Sequence, residues 1–176
     1  AVVTQNGEEI PCQDAIFALG HSARDTFFTL YENGIAMEQK PFAMGVRIEH
    51  DQQMINESQY GSYAGKLPAA DYRLTYTTQK GRGVYSFCMC PGGYVVAASS
   101  EEGRLAVNGM SYHARDGKNA NAALLVQVYP EDFGDSHPLA GVRLQRKLEE
   151  AAFRAGGGDY TAPVQRVGSF LTGKEV

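Results

Sequence analysis

Cys88 and Cys90, one residue apart at the entrance to Pro91-Gly92-Gly93, are the side chains of this sequence best placed to do chemistry. They sit in the stretch Arg82–Val96, RGVYSFCMCPGGYVV, which reads as a strand, a tight turn and a returning strand. Strand alternation puts Tyr85, Phe87 and Met89 on one face and Val84, Ser86, Cys88 and Cys90 on the other. Pro91 fixes its own φ, and Gly92 and Gly93 tolerate positive φ. Glycine there also lets a backbone or a flat ligand come close. A reactive thiol needs a nearby cation to lower its pKa. Arg82 shares the face of the thiols but lies roughly 20 Å from Cys88 along an extended strand. Arg47, on another strand, is the better candidate if the fold brings it close. A Cys88–Cys90 disulfide is disfavoured, because alternate strand residues are about 6.6 Å apart, near the limit of disulfide geometry. A lone C-x-C, a distant Cys12 and scattered histidines do not make the ligand pairs of a zinc site, so no metal is expected. The thiols then read either as small buried apolar groups or as the rim of a concave site.

Arg47 belongs to KPFAMGVRIEH (Lys40–His50), which also alternates. Phe42, Met44, Val46 and Ile48 form its buried face, and Ala43, Gly45, Arg47 and Glu49 the other. Arg47 and Glu49 therefore read either as a weak ion pair or as an arginine aimed at a phosphate or carboxylate and held by Glu49. His50, beside Glu49, and His21, between Gly20 and Ser22, are the histidines most apt to face a site, though packing roles also account for them. No G-x-S-x-G occurs, and no Cys/His pairing can be argued from spacing. Asn119 and Asn121 read as residues that satisfy loop backbone.

These residues need elements to position them. Asn6-Gly7 predicts a tight hairpin between Val2–Thr4 and Glu8–Pro11. Asp14–Gly20 (DAIFALG) is a continuous apolar run of the kind buried in a parallel sheet. Ser22 fits as N-cap of a helix that ends at Asn33-Gly34, with Ala23, Phe27, Leu30 and Tyr31 on one stripe. A helix N-terminus after a glycine turn is also a ready anion site. Asp51 caps a short helix running to Gln59 and stopped by Gly61. From Asp71 the chain becomes a meander. Tyr72, Leu74 and Tyr76 share a face, Lys80-Gly81 turns, the cysteine hairpin comes next, and Arg104–Asn108 is a short strand. Ser111–Asn121 is a polar loop, and Ala122–Tyr129 another apolar strand. Pro138–Ala155 is a helix with an apolar stripe at Leu144, Leu148, Ala151 and Ala155, and with Val142 and Phe153 opposite. Gly156–Gly158 ends it, and Pro163–Leu171 is a second short helix.

The chain has 176 residues, 43% hydrophobic and 20% charged, with a net charge of −4 and three cysteines. An acidic balance without a basic run argues against nucleic acid. No apolar run reaches the ~18 residues of a membrane span, and no leader suggests secretion. An odd number of cysteines without a disulfide framework suits a cytoplasmic protein. The expected class is α+β: a mainly antiparallel sheet or partial barrel, a small helical appendage, and an N-terminal strand-helix unit. The opening Ala and the abrupt ends suggest a piece of a larger protein.

Several segments read together: FALGHSARDTF (Phe17–Phe27), KPFAMGVRIEH, SQYG (Ser58–Gly61), GVYSFCMCPGGYVV and NGMSYHARDGKNANAALLV (Asn108–Val126). With Gln145, Glu149, Phe153 and Gly156-Gly157, they resemble a family of bacterial FAD-dependent dehydrogenases of unassigned substrate. That family is distantly similar to the two-dinucleotide-binding flavoproteins. The resemblance implies a middle piece: 1–35 part of a Rossmann-like FAD-binding domain, 36–135 an inserted β-rich substrate domain, and 136–176 a helical subdomain. It implies FAD in the whole protein, with Ala18, Gly20, His21 and Ser22 beside the cofactor. Leu19 stands where an A-T-G-like motif has Thr, which removes a hydroxyl contact. It further implies Gly92 and Gly93 near the flavin, and Cys88, Cys90, Arg47 and His50 at a small-molecule substrate. The partner would be the remaining FAD-binding domain of the same protein, with no nucleic acid or membrane. No G-x-G-x-x-G is present, so this piece is not expected to hold FAD by itself. The alternative is a stand-alone binding or interaction module with no redox role.

Overall fold

Asn6-Gly7 turns the chain back on itself as expected. β1 (Val2–Val3) pairs antiparallel with β2 (Glu9–Ile10), and Gly7 at the turn has φ +80°. The apolar run Asp14–Gly20 does not form the expected strand. It is irregular, and Ile16 is 93% exposed. A parallel strand needs a partner sheet, and no parallel pairing occurs among the described residues, 1–174 of the computed structural model. After Gly20 (φ +78°) comes α1 (Arg24–Glu32). Its N-cap is Ala23, one residue past the expected Ser22, and no side chain caps it. Asn33 closes it. These residues make one compact unit, Ala1–Ile35, and the rest of the chain makes a second, Ala36–Val176.

The second unit opens with β3 (Phe42–Asp51), where the alternation predicts a strand. Asp51 then caps α2 (Gln52–Tyr60) by accepting from the Met54 N–H, and Gly61 ends it, both as expected. The meander comes next: β4 (Thr75–Thr77), β5 (Gly83–Cys90), β6 (Gly93–Ala97), β7 (Val107–Ser111) and β8 (Asn119–Val128). Strands β3, β8, β5 and β4 lie in that order in one antiparallel sheet, while β6 and β7 pair as a second. The architecture is α+β with open antiparallel sheets and, among the described residues, no closed barrel. α3 (Ala140–Ala155) and α4 (Val167–Thr172) lie in the second unit. No helix among the described residues is long and apolar enough to cross a membrane.

β8 is the central strand, and its small side chains explain why. Ala120, Asn121 and Ala122 are completely buried, which lets α2 approach β8 and lets β6 and β7 pack against it. Asn119–Asn121 is thus strand interior and not the polar loop its letters suggest. At the other end of the sheet Phe42 stacks on Phe133 at 5.2 Å, and Gly141 leaves room for the Phe42 ring beside α3.

Two faces differ from expectation. Val46 is 59% exposed and pairs with exposed Leu124, so the middle of the sheet lies open. Leu124 is in turn opposite Ser86 of β5, whose hydroxyl accepts from the N–H of exposed Leu74, the residue just before β4. In α3 the Leu148 and Ala151 stripe faces outward. The helix instead turns Arg146 and Glu150 toward Glu101 and Arg104, and the Glu149 carbonyl accepts from the Leu105 N–H.

Gly45 is required by this sheet: a Cβ there would run into the Leu124 carbonyl of β8. Because backbone cannot swing aside, Gly45→Ala is expected to cost about 1–3 kcal/mol of stability in urea unfolding. An unchanged midpoint would contradict the packing described.

Candidate functional site

Arg47 leaves β3 on the face covered by β6 and β7, and four residues from three other strands converge on it. Its Nε donates to Asn121 Oδ1 at 2.8 Å and its Nη1 to Asn108 Oδ1 at 3.4 Å. Its Nη2 donates to the Cys88 carbonyl at 2.8 Å and to Cys90 Sγ at 3.5 Å. Gly109 makes the arrangement possible, since a Cβ there would overlap both the guanidinium and Asn121 Oδ1. The arginine suspected from sequence does reach the Cys90 thiol, and it meets Cys88 at the backbone carbonyl.

The two thiols do not share the geometry that alternation predicts. Cys88 has φ +47°, and the register with β8 shifts between Phe87 and Cys90. This is a β-bulge, which inserts an extra residue and re-aims the side chains beyond it. Cys90 is therefore opposite Asn121 and on the Arg47 side, buried, whereas Cys88 is exposed. Burial pushes the Cys90 thiol above its ordinary pKa, and the nearby Arg47 charge pulls the other way without overcoming it. Cys90 is thus a protonated group, its S–H donating to the Cys88 carbonyl at 3.4 Å. Arg82 takes no part: it is bound to Asp132 at 2.7 Å and lies over the Tyr129 ring.

The glycine turn is closed by the chain itself. Gly92 (φ +57°) faces the Arg115 carbonyl, and Gly117 faces the Gly92 carbonyl, so added Cβ atoms at either would clash with backbone. Ser111 Oγ donates to the Pro91 carbonyl at 2.7 Å. Gln52 then ties the turn to α2. Its Oε1 accepts from the Gly92 N–H at 2.8 Å, and its Nε2 donates to Asn56 Oδ1 and the Ala70 carbonyl. Gln52 escaped the sequence reading, although a glutamine directly after a capping Asp is a residue whose amide can reach back over the cap.

Glu49 does not hold Arg47. Its carboxylate accepts from the Val95 N–H at 3.1 Å and from Asn119 Nδ2 at 2.6 Å, pinning β6 over the main sheet. His50, three residues from Arg47, points to the opposite face. There its Nε2 meets the Tyr72 hydroxyl at 2.8 Å. Burial pushes the Tyr72 phenol pKa up, and the Arg47 charge lowers it less. Ala18, Gly20, His21 and Ser22 are exposed in the irregular segment before α1, in the first unit. No group of three or more His, Cys, Asp or Glu side chains among the described residues could hold a metal ion.

Residues 41–176 match the family described as FAD-dependent protein, C-terminal domain-like. The chain belongs to that family. An uncharacterized protein of Clostridium beijerinckii is 59% identical over 172 residues, covering 96% of this chain and 32% of that protein. The chain therefore spans about a third of the length of the relative it matches.

Within this FAD-dependent family domain, the turn at Pro91–Gly93 does not fit a dinucleotide. The space a pyrophosphate would need beside its glycines is filled by the backbone at residues 115–117. What remains accessible is the edge where Cys88 and Asn108 reach the surface beside the Arg47 guanidinium.

Thiol accessibility separates the cysteines. Brief alkylation of the folded protein at neutral pH, read by peptide mass spectrometry, is expected to modify Cys12 and Cys88 and spare Cys90 until unfolding. A raised thiol pKa means the folded state holds its proton more tightly. Cys90 thus contributes stability below the ordinary thiol pKa of about 8.5 and loses it as pH rises further. Cys90→Ala should flatten that alkaline loss; labelling of native Cys90 as fast as Cys88 would refute the burial.

Proposed function

We propose that this chain is the substrate-side part of a longer, cytoplasmic FAD-dependent oxidoreductase. The observation that carries the reading is the family match over 41–176, which brings FAD to the parent protein. The share of the Clostridium beijerinckii relative lying outside the match leaves ample length for a cofactor-binding domain. In this reading the second unit covers the flavin and presents the Cys88, Asn108 and Arg47 edge to a small molecule. The remaining protein covers exposed apolar surface: Ile16, Phe17 and Leu19 in the first unit, and Val46, Leu124, Leu74 and Tyr76 across the main sheet. Apolar patches of this kind mark interaction surfaces.

The flavin, when bound, supplies the hydride chemistry. This chain's own residues supply position and electrostatics. Arg47 fixes the bulge that lifts Cys88 to the surface, so the Cys88 thiol borders the site, while buried and protonated Cys90 supports it from below. The geometry favours a shape-forming pair over a redox pair, because Cys90 Sγ is engaged with Arg47 and the Cys88 carbonyl.

Purified full-length protein is expected to be yellow with stoichiometric FAD, whereas residues 1–176 alone should be colourless. Full-length protein without flavin would remove the reading, and so would a yellow preparation of the short chain remove the role assigned to the rest. In the full-length protein, Cys88→Ser and Cys90→Ser should both keep flavin reduction near wild type. A hundredfold loss in a folded Cys90→Ser variant, about 2.7 kcal/mol of barrier, would make that thiol catalytic instead.

A further inference from the structure

Arg47 is a cation that lacks an anion. Its acceptors are two asparagine side-chain oxygens, a backbone carbonyl and a cysteine sulfur. Among the described residues no carboxylate lies within ion-pair distance of it. Glu49, two residues away on the same strand face, directs both carboxylate oxygens to Val95 and Asn119. Such a half-buried guanidinium with only neutral partners is unusual, because desolvation is ordinarily offset by a counter-charge.

A second observation points the same way. Asn121 is completely buried, and its Nδ2 has no hydrogen-bond partner. That donor shares one carboxamide with the oxygen that accepts from Arg47 Nε, so it lies beside the guanidinium. Buried donors in folded proteins almost always find an acceptor. The cluster therefore lacks a counter-charge at Arg47 and, at its Nε end, an acceptor for Asn121 Nδ2. Its outer edge is also its weakest: the Nη1 contact to Asn108 is the longest of the oxygen contacts at 3.4 Å, and Asn108 and Cys88 are both exposed.

We propose that the Nη1 edge of Arg47, entered between Asn108 and Cys88, is an oxyanion site that takes the carboxylate or phosphate of a small molecule. A planar guanidinium presents parallel donors suited to either group. That this molecule is the substrate of the flavoenzyme rests on the reading in the preceding section; the anion site itself rests on the geometry above.

The test is the unfolding temperature of the full-length protein titrated with acetate or with inorganic phosphate, against chloride at equal ionic strength. Excluded salts raise stability without binding, so the comparison is Asn108→Asp. Aspartate keeps the side-chain acceptor for the Gly109 N–H, 2.8 Å away in the wild type, and brings a carboxylate to the Nη1 edge. Replacing Arg47 is less informative, since it also strands the buried Asn121 oxygen. A saturable rise in wild type, absent from Asn108→Asp, is expected, and the anion that saturates at lower concentration assigns the class. No saturable rise with either anion, or an equal rise in Asn108→Asp, would overturn the site. Flavin absorbance of the same samples keeps the two claims apart. Bound flavin with no anion response overturns the site alone. An anion response in protein devoid of flavin keeps the site and removes its assignment to a flavoenzyme substrate.

Discussion

A single guanidinium crosses between the two sheets of the second unit, and the local structure depends on it. Arg47 rises from β3 and binds β8 through Asn121, β7 through Asn108, and the bulge of β5 through Cys88 and Cys90. Each contact is charge-assisted, and the planar fork allows them at once. Deleting the arginine would strand the buried Asn121 oxygen, at about 1–3 kcal/mol for a buried group left unpaired. Around this tie the small residues find their reason. Gly109 admits the guanidinium, and Ala120 to Ala123 keep β8 thin enough for elements to close on both sides.

The positive φ of Cys88 arises from the same constraint. A non-glycine residue in the left-handed region costs free energy and persists only where its surroundings over-determine it. Here the Cys88 carbonyl is held by Arg47, and Cys90 is pinned opposite Asn121. One thiol is therefore displayed and the other sealed, although they are only two residues apart. The Gln52 amide performs a parallel service for the adjoining turn, fixing Gly92 against α2.

Local signals in the sequence were legible wherever the physics is local. Asn6-Gly7, the Asp51 cap, Gly61 and the alternation of Lys40–His50 each report a conformation decided within a few residues. The candidate site was legible only in part. Arg47 and the two cysteines could be suspected from their types, but the bulge that separates the thiols depends on a contact across 41 residues, from Arg47 to the Cys88 carbonyl. Asn121 reads as loop because asparagine is usually a loop residue; it is buried because an arginine 74 residues away lies on its amide oxygen. The run Asp14–Gly20 asks for burial without saying by what, and no strand among the described residues answers it. In α3 the apolar stripe was visible, but ion pairs from Arg146 and Glu150 to the residue 101–104 loop decide which side faces in.

Membership in an FAD-dependent family and a surface edge built around an unpaired cation support the reading proposed above, in which this domain would hold a small molecule against a flavin carried elsewhere in the protein. The most direct test is a crystal structure of the full-length protein with FAD bound, measuring the separation between the Arg47 guanidinium and flavin N5. The account expects the Cys88 and Asn108 edge to open on the isoalloxazine ring, close enough for one small molecule to touch both. An edge that faces away from the flavin, with other residues lining the space over its reactive atom, would contradict it.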